Sequence, residues 1–270
     1  MASIPSTLQL VDAARGYEAT PGVVIDLKVK GPESAPPLLL LHGVEGSDAD
    51  SEFTDELAKD HRVFVPSHPG FGLSPWSQGI TTVEDLAYLY LSFLERQNLS
   101  GVHLVGLQFG AWIAAEIAIR DQSRLSRVSF VGPVGIKHGH RTDRHIMDVF
   151  AEDRATVESG YLAHSKRRSK GRLATTPREE VQVLSRNEEA LATYAWEPYM
   201  HNPRLRRWLH RITVPTYVIR GEEDTITSSE YAQAFYAELP AAQLVKVPLA
   251  AHAAQIDQPR NVAGIIRNQF

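Results

Sequence analysis

Val102-His103-Leu104-Val105-Gly106-Leu107-Gln108-Phe109-Gly110-Ala111 is the stretch that decides how the chain folds. Its apolar start, Val102 to Val105, reads as a strand, and Ala111 to Arg120 reads as a helix. Five residues with Gly at both ends join them. Strand, tight turn and helix in this order match a nucleophile elbow, G-x-S-x-G, whose central residue is held on a strained turn. The glycines answer to the backbone, because strand and helix come so close that side chains at their positions would clash. At the centre stands Gln108, where Ser, Cys or Asp would supply a nucleophile.

Working outward, the pattern around this stretch alternates. Two strand-like runs lie within residues 8–30, the second being Val23 to Lys30. Leu38-Leu39-Leu40-Leu41, introduced by Pro36-Pro37, is a continuous apolar run of the kind that forms a buried parallel strand. It ends in the Gly-rich turn His42-Gly43-Val44-Glu45-Gly46. A helix is predicted from Asp50 to Lys59, a strand over Val63 to Pro66, then the loop Ser67-His68-Pro69-Gly70-Phe71-Gly72-Leu73-Ser74. Thr82 with Asp85 three residues on forms a capping-box start, and Val83, Leu86, Ala87, Tyr90 and Leu94 share one helical face. After the elbow comes a strand at Arg127 to Val131. Strands alternating with helices from 38 to 131 predict an open, mostly parallel α/β sheet with flanking helices.

Past Gly132-Pro133 the strand signal stops, and residues 137–207 show helical periodicity only. The alternation resumes with a strand at Thr216 to Arg220, a helix at Ser229 to Glu238, a strand at Gln243 to Val247 and a helix from Pro259 to Phe270. Residues 1–136 and 208–270 are therefore expected to form one α/β core, with 137–207 inserted as a helical cap.

Composition narrows the function classes. The chain has 270 residues, 43% of them hydrophobic, enough for one sizeable core. Its net charge of −4 and pI near 6.3 give no electrostatic case for nucleic acid or an anionic membrane as partner. It has no cysteine, which removes disulfides, thiolate metal sites and a Cys nucleophile. No signal-peptide pattern opens it, and no apolar run approaches the ~18 residues needed to span a bilayer. A cytoplasmic protein acting on a small molecule is the expectation. An oligomer is compatible with the sequence.

The chain resembles an α/β-hydrolase-fold protein with a helical cap, in a layout like that of the ring-cleavage hydrolases. The resemblance rests on His42-Gly43, Pro69-Gly70-Phe71-Gly72-Leu73-Ser74, the elbow 106–110, Gly221-Glu222-Glu223-Asp224 and His252 with Gln258-Pro259. The order nucleophile position, acid, histidine (Gln108, Asp224, His252) is the order that fold uses. By position, the resemblance implies that Asp224 orients His252, that His252 is the general base, and that the N–H groups of Val44 and Phe109 form an oxyanion hole. It implies neither cofactor nor metal.

Departures from the pattern matter. An amide side chain has no proton that His could usefully remove, so the acyl-enzyme route is closed with Gln at 108. Gln can still donate and accept hydrogen bonds. Three readings stay open: base chemistry by His252 and Asp224, directed at water or at the substrate; a silent relative that binds a ligand or a partner; and an ordinary serine esterase or C–C hydrolase carrying a substitution at 108. Glu45, His68, Trp196 and Tyr199 are candidate substrate contacts. Each also has a bland role, as solvated loop, loop brace or cap packing. His138, His140 and His145 suggest a metal by type but lack a ligand spacing, and the basic run Lys166 to Arg172 reads as a solvated loop. Ala253 stands where ring-cleavage hydrolases usually carry a bulky aromatic.

Overall fold

A computed structural model describes residues 16–140, 142–163 and 177–268. Its main sheet has seven strands: β3 (Leu27–Lys30), β4 (Pro37–Leu41), β5 (Arg62–Pro66), β6 (Val102–Leu107), β7 (Leu125–Val131), β8 (Thr216–Gly221) and β9 (Ala242–Val247). They lie in the order β3-β5-β4-β6-β7-β8-β9. Only the β3–β5 pair is antiparallel. A separate hairpin, β1 (Tyr17–Thr20) with β2 (Val23–Ile25), stands beside it. The expected run Val23 to Lys30 is thus split at Asp26, whose two halves join different sheets. The N–H of Asp26 bonds Ser74 Oγ and its carbonyl takes the N–H of Ser67, which pins the crossing point.

The leucine run shows why the core has two sides. Successive strand residues point to opposite faces. Leu39 and Leu41 join Phe64 and Leu104 in one cluster, with the helices Val83–Arg96 and Phe109–Arg120. Leu38 and Leu40 join Val63, Val65, Val105 and Leu107 in the other, with the helices Ser51–Leu57 and Pro259–Asn268. Both faces of the sheet are covered, so its central strands can be apolar throughout. The capping box at Thr82 is formed in both directions. Ala111, Ala114, Ala115 and Ala118 are fully buried where their helix lies on the sheet. A Cβ on Gly106 would stand 2.5 Å from the carbonyl of Gly110, and one on Gly110 would overlap the carbonyl of Leu41. Close approach of strand and helix is what requires both glycines.

Between β7 and β8 the described residues hold the helices Arg154–Tyr161, Arg178–Ala195 and Leu205–Trp208 and a 3-10 turn, with isolated bridges rather than strands. The basic run Lys166 to Arg172 lies outside the described residues. A short helix, Ala254–Asp257, follows His252 where the sequence signalled only a loop. No helix among the described residues is long and apolar enough to cross a membrane.

Candidate active site

The predicted residues meet where parallel strands end. Val44 follows β4, Gln108 follows β6, Asp224 follows β8 and His252 follows β9, all at C-terminal strand ends, the edge at which open α/β sheets bind ligands.

Gln108 has φ 47° and ψ −106°, a conformation in which a residue with a Cβ is strained. The neighbours hold it there. Its N–H donates to Val131 O at 2.8 Å, extending the β6–β7 ladder, while its carbonyl already accepts from Ala111 N–H at 3.0 Å in the first turn of the helix. The N–H groups of Val44 and Phe109 have no acceptor among the described residues.

The oxyanion turn is braced from beneath. His42 Nε2 accepts from the N–H of His68 at 3.0 Å, so His42 carries its proton on Nδ1 and donates it to Gly43 O at 2.7 Å. In a trans peptide the N–H points opposite to the C=O. Fixing Gly43 C=O therefore aims Val44 N–H the other way. His68 in turn faces His42 O through Nε2, at 3.2 Å, and the Tyr90 hydroxyl through Nδ1. Burial holds both histidines neutral: His42 is lowered to about 4, and His68 well below its ordinary value, with His42 a further contributor.

His252 and Asp224 form a buried pair. His252 Nδ1 donates to Asp224 Oδ2 at 3.0 Å. Thr227 completes the carboxylate's shell, its N–H on Oδ1 at 3.0 Å and its hydroxyl on Oδ2 at 2.8 Å. Burial raises the Asp224 pKa, but the charge and hydrogen bond of His252 and the two bonds from Thr227 outweigh it, leaving the carboxyl below its ordinary value. With Nδ1–H spent on Asp224, Nε2 is the basic atom of His252. Arg220, also buried, ties the acid loop together by bonds to the carbonyls of Gly221, Asp224 and Thr227.

The Gln108 side chain sits in a polar chain absent from the sequence reading. Its Nε2 donates to Gln255 Oε1 at 3.0 Å and, more weakly, to His252 O at 3.4 Å. Gln255 Nε2 donates to Asp50 Oδ1 at 3.0 Å and reaches back to Gln108 Oε1 at 3.4 Å. Tyr161, from the helix Arg154–Tyr161, donates to the same Oε1 at 3.4 Å, and its ring lies 5.9 Å from that of His252. The end of that helix is fastened to the histidine loop: His252 N–H and Ala253 N–H donate to Gly160 O and Tyr161 O, and Asp257 Oδ2 accepts from both Ala251 N–H and Ala163 N–H. Asn187 makes a second fastening, donating to Glu45 O at 2.9 Å and accepting from Gly72 N–H at 2.8 Å.

The other candidate contacts fare differently. Glu45 is half-buried in the oxyanion turn, with its carbonyl held by Asn187. His68 is a correction: fully buried, with both ring nitrogens engaged, it has no polar atom left for a ligand. The Tyr199 hydroxyl donates to Met147 O at 2.6 Å and accepts from Val149 N–H, bracing a loop. Trp196 is 58% exposed and packs edge-on against Phe150. The His138 and His145 rings lie 4.6 Å apart at a tilt of 50°, and no group of three possible metal ligands exists among the described residues. Asp50, Tyr161, Asn187, Thr227 and Gln255 were all missed. Only Thr227 left a trace, standing three residues after Asp224 and so near enough along the chain for its N–H to reach that carboxylate.

The comparisons show the family and the fold. Residues 38–265 match the model of the alpha/beta hydrolase family, and the chain belongs to that family. It is 31% identical over 140 residues to a 2-hydroxy-6-oxo-2,4-heptadienoate hydrolase of Pseudomonas putida, covering 45% of this chain and 51% of that one. It is 26% identical over 262 residues to a Bacillus subtilis protein named provisionally as a 2-succinyl-6-hydroxy-2,4-cyclohexadiene-1-carboxylate synthase, covering 91% and 94%. Among solved structures, an esterase from Exiguobacterium antarcticum shares the fold at 18% identity, with TM-score 0.73 and 93% and 97% coverage. The aligned region spans only about a third to a half of several curated relatives' lengths.

Proposed function

We propose that the protein is an enzyme in which His252, held by Asp224, acts as a general base on a small, mainly apolar carbonyl compound, with no covalent acyl intermediate. The observation that carries this is the buried His252–Asp224–Thr227 arrangement beside a position occupied by Gln108. The bond from His252 Nδ1–H to Asp224 fixes the tautomer, and the carboxylate, held in place by the two Thr227 bonds, stabilises the imidazolium formed when Nε2 takes a proton. The proton comes from a water that attacks the carbonyl, or from a carbon or oxygen of the substrate. Negative charge then develops on the carbonyl oxygen, within reach of the Val44 and Phe109 N–H groups. A positioned base contributes typically 10²–10⁴-fold. One relative is named a hydrolase and another, matched nearly end to end, a synthase, so a reaction of either type is compatible with the family.

A second reading is a ligand-binding protein without turnover. It is favoured by the Gln108 amide itself, whose two N–H donors are both spent on protein acceptors. The test is a screen of small ketones, diketones and aryl esters in D2O, followed by NMR for solvent exchange next to the carbonyl and for product. Base chemistry predicts turnover that falls at least about 100-fold in His252→Ala. Turnover unchanged by His252→Ala would sink it, and binding without any reaction across the screen would favour the second reading.

A further inference from the structure

We propose that Asp50, acting through Gln255, locks the Gln108 amide with its oxygen toward Tyr161 and Gly43, so that the site selects ligands bringing an O–H or N–H donor to that oxygen. The inference deepens the function proposed above and rests on the same site. It starts from a direction that propagates. An Asp50 carboxylate only accepts, so the group of Gln255 facing it is the NH2. Gln255 then turns its Oε1 to Gln108, which must answer with its own NH2. The second Gln108 N–H faces the carbonyl of His252, another acceptor. Four polar groups thus specify one orientation. Asp50, Gln108 and Gln255 are all buried, where setting two donors or two acceptors face to face is costly.

The consequence falls on Gln108 Oε1. Its two protein donors, the Tyr161 hydroxyl and Gln255 Nε2, stand at 3.4 Å, the outer limit of a hydrogen bond. An amide oxygen has two lone pairs and takes a better donor where one arrives. On the oxyanion side, the Val44 and Phe109 N–H groups offer donors that have no acceptor among the described residues. The complement is a carbonyl compound with an O–H or N–H on a neighbouring atom: the carbonyl meets the two N–H groups, and the donor meets Gln108. A simple ester offers only half of this match.

The test compares 2-hydroxyacetophenone with 2-methoxyacetophenone, which differ in one donor. Their Kd values are measured by NMR titration of the full chain. The hydroxy compound is expected to bind about tenfold tighter, the worth of one hydrogen bond. Gln255→Met keeps the side-chain length but cuts Asp50 from Gln108, and the preference should shrink to about threefold or less. Gln108→Met removes the oxygen itself and should do the same, which keeps the test decisive if the Gln255 variant does not fold. The steric cost of the methyl group persists in both variants and so separates from the donor effect. Equal binding by the starting protein, a preference surviving both substitutions, or no binding of either compound would overturn the inference. Turnover of each compound is followed in the same tubes. Preference without turnover leaves this inference standing and removes base catalysis; turnover without preference does the reverse.

Discussion

Gln108 and Gly43 are fitted to one another: a Cβ on Gly43 would overlap the Gln108 side-chain oxygen, while its next nearest neighbour outside that side chain, Leu107 O, would be at an ordinary 3.4 Å. Gly43 shows no positive φ, so its need for glycine comes from the long side chain across the gap rather than from the backbone. Gly43→Ala is expected to cost about 1–3 kcal/mol, because Gln108 can yield only by leaving Gln255. In a Gln108→Ser background the same change should cost less than about 1 kcal/mol. Urea unfolding of the four proteins gives the coupling directly. A cost that is the same in both backgrounds would show that the two residues do not compete for that space.

Thr227 is expected to support the acid rather than merely fill the loop. Thr227→Val removes the hydroxyl bond to Asp224 Oδ2 and leaves the backbone bond in place. The expected loss is about 1–2 kcal/mol at neutral pH. The sign with pH follows from the Asp224 pKa, which is lowered on folding. Its contribution is present above the unfolded carboxyl value and disappears as pH falls through the folded one. The difference between the two proteins should therefore narrow below about pH 4. A difference that stays constant from pH 7 to pH 3 would show that the hydroxyl acts by packing alone.

The neutral histidines under the oxyanion turn set an acid limit. Burial lowers His42 to about 4, holds His68 and His103 well below their ordinary value, and lowers His61 too. Each is protonated more readily when unfolded, so stability should be full above about pH 6.5 and fall as pH drops toward 4. His42 alone accounts for up to about 3 kcal/mol over that window. Unfolding free energies measured between pH 7.5 and 4.5 should decline steeply, with more than one proton taken up on unfolding. A flat profile would mean these imidazoles reach solvent or partners in the native state.

Asn187 bridges two loops of the α/β core from the helix Arg178–Ala195. Asn187→Leu leaves Glu45 O and Gly72 N–H without this partner at a buried position. A loss of about 2–4 kcal/mol is expected, with faster proteolysis of the segment between β7 and β8. Unchanged stability would show that the contact is incidental.

The sequence was most legible where a residue's need is local. Apolar runs, the Thr82–Asp85 box and the glycines at 106 and 110 each follow from neighbours a few residues away, and the sheet assembled from them. The order of Gln108, Asp224 and His252 was readable through the resemblance to the family, and each does sit beyond a strand end. The rest of the site depends on long-range approach. Asp50 and Gln255 are 205 positions apart and meet only once the sheet forms, and Asn187 reaches Glu45 across 142. A loop histidine beside Pro-Gly, such as His68, looks accessible in sequence. Its ring turns inward to His42 and Tyr90, which no pattern of spacing reveals.

The most direct measurement is the reaction of p-nitrophenyl acetate with the chain as it stands, with Gln108→Ser, and with Gln108→Ser combined with His252→Ala. If base, acid and oxyanion donors are assembled and only the nucleophile differs, the first protein gives no acyl burst. The second then gives a burst of about one equivalent per chain, and the third loses it. A silent Gln108→Ser variant that folds normally would contradict this, showing that the His252–Asp224 pair and the turn at Val44 do not form a working site.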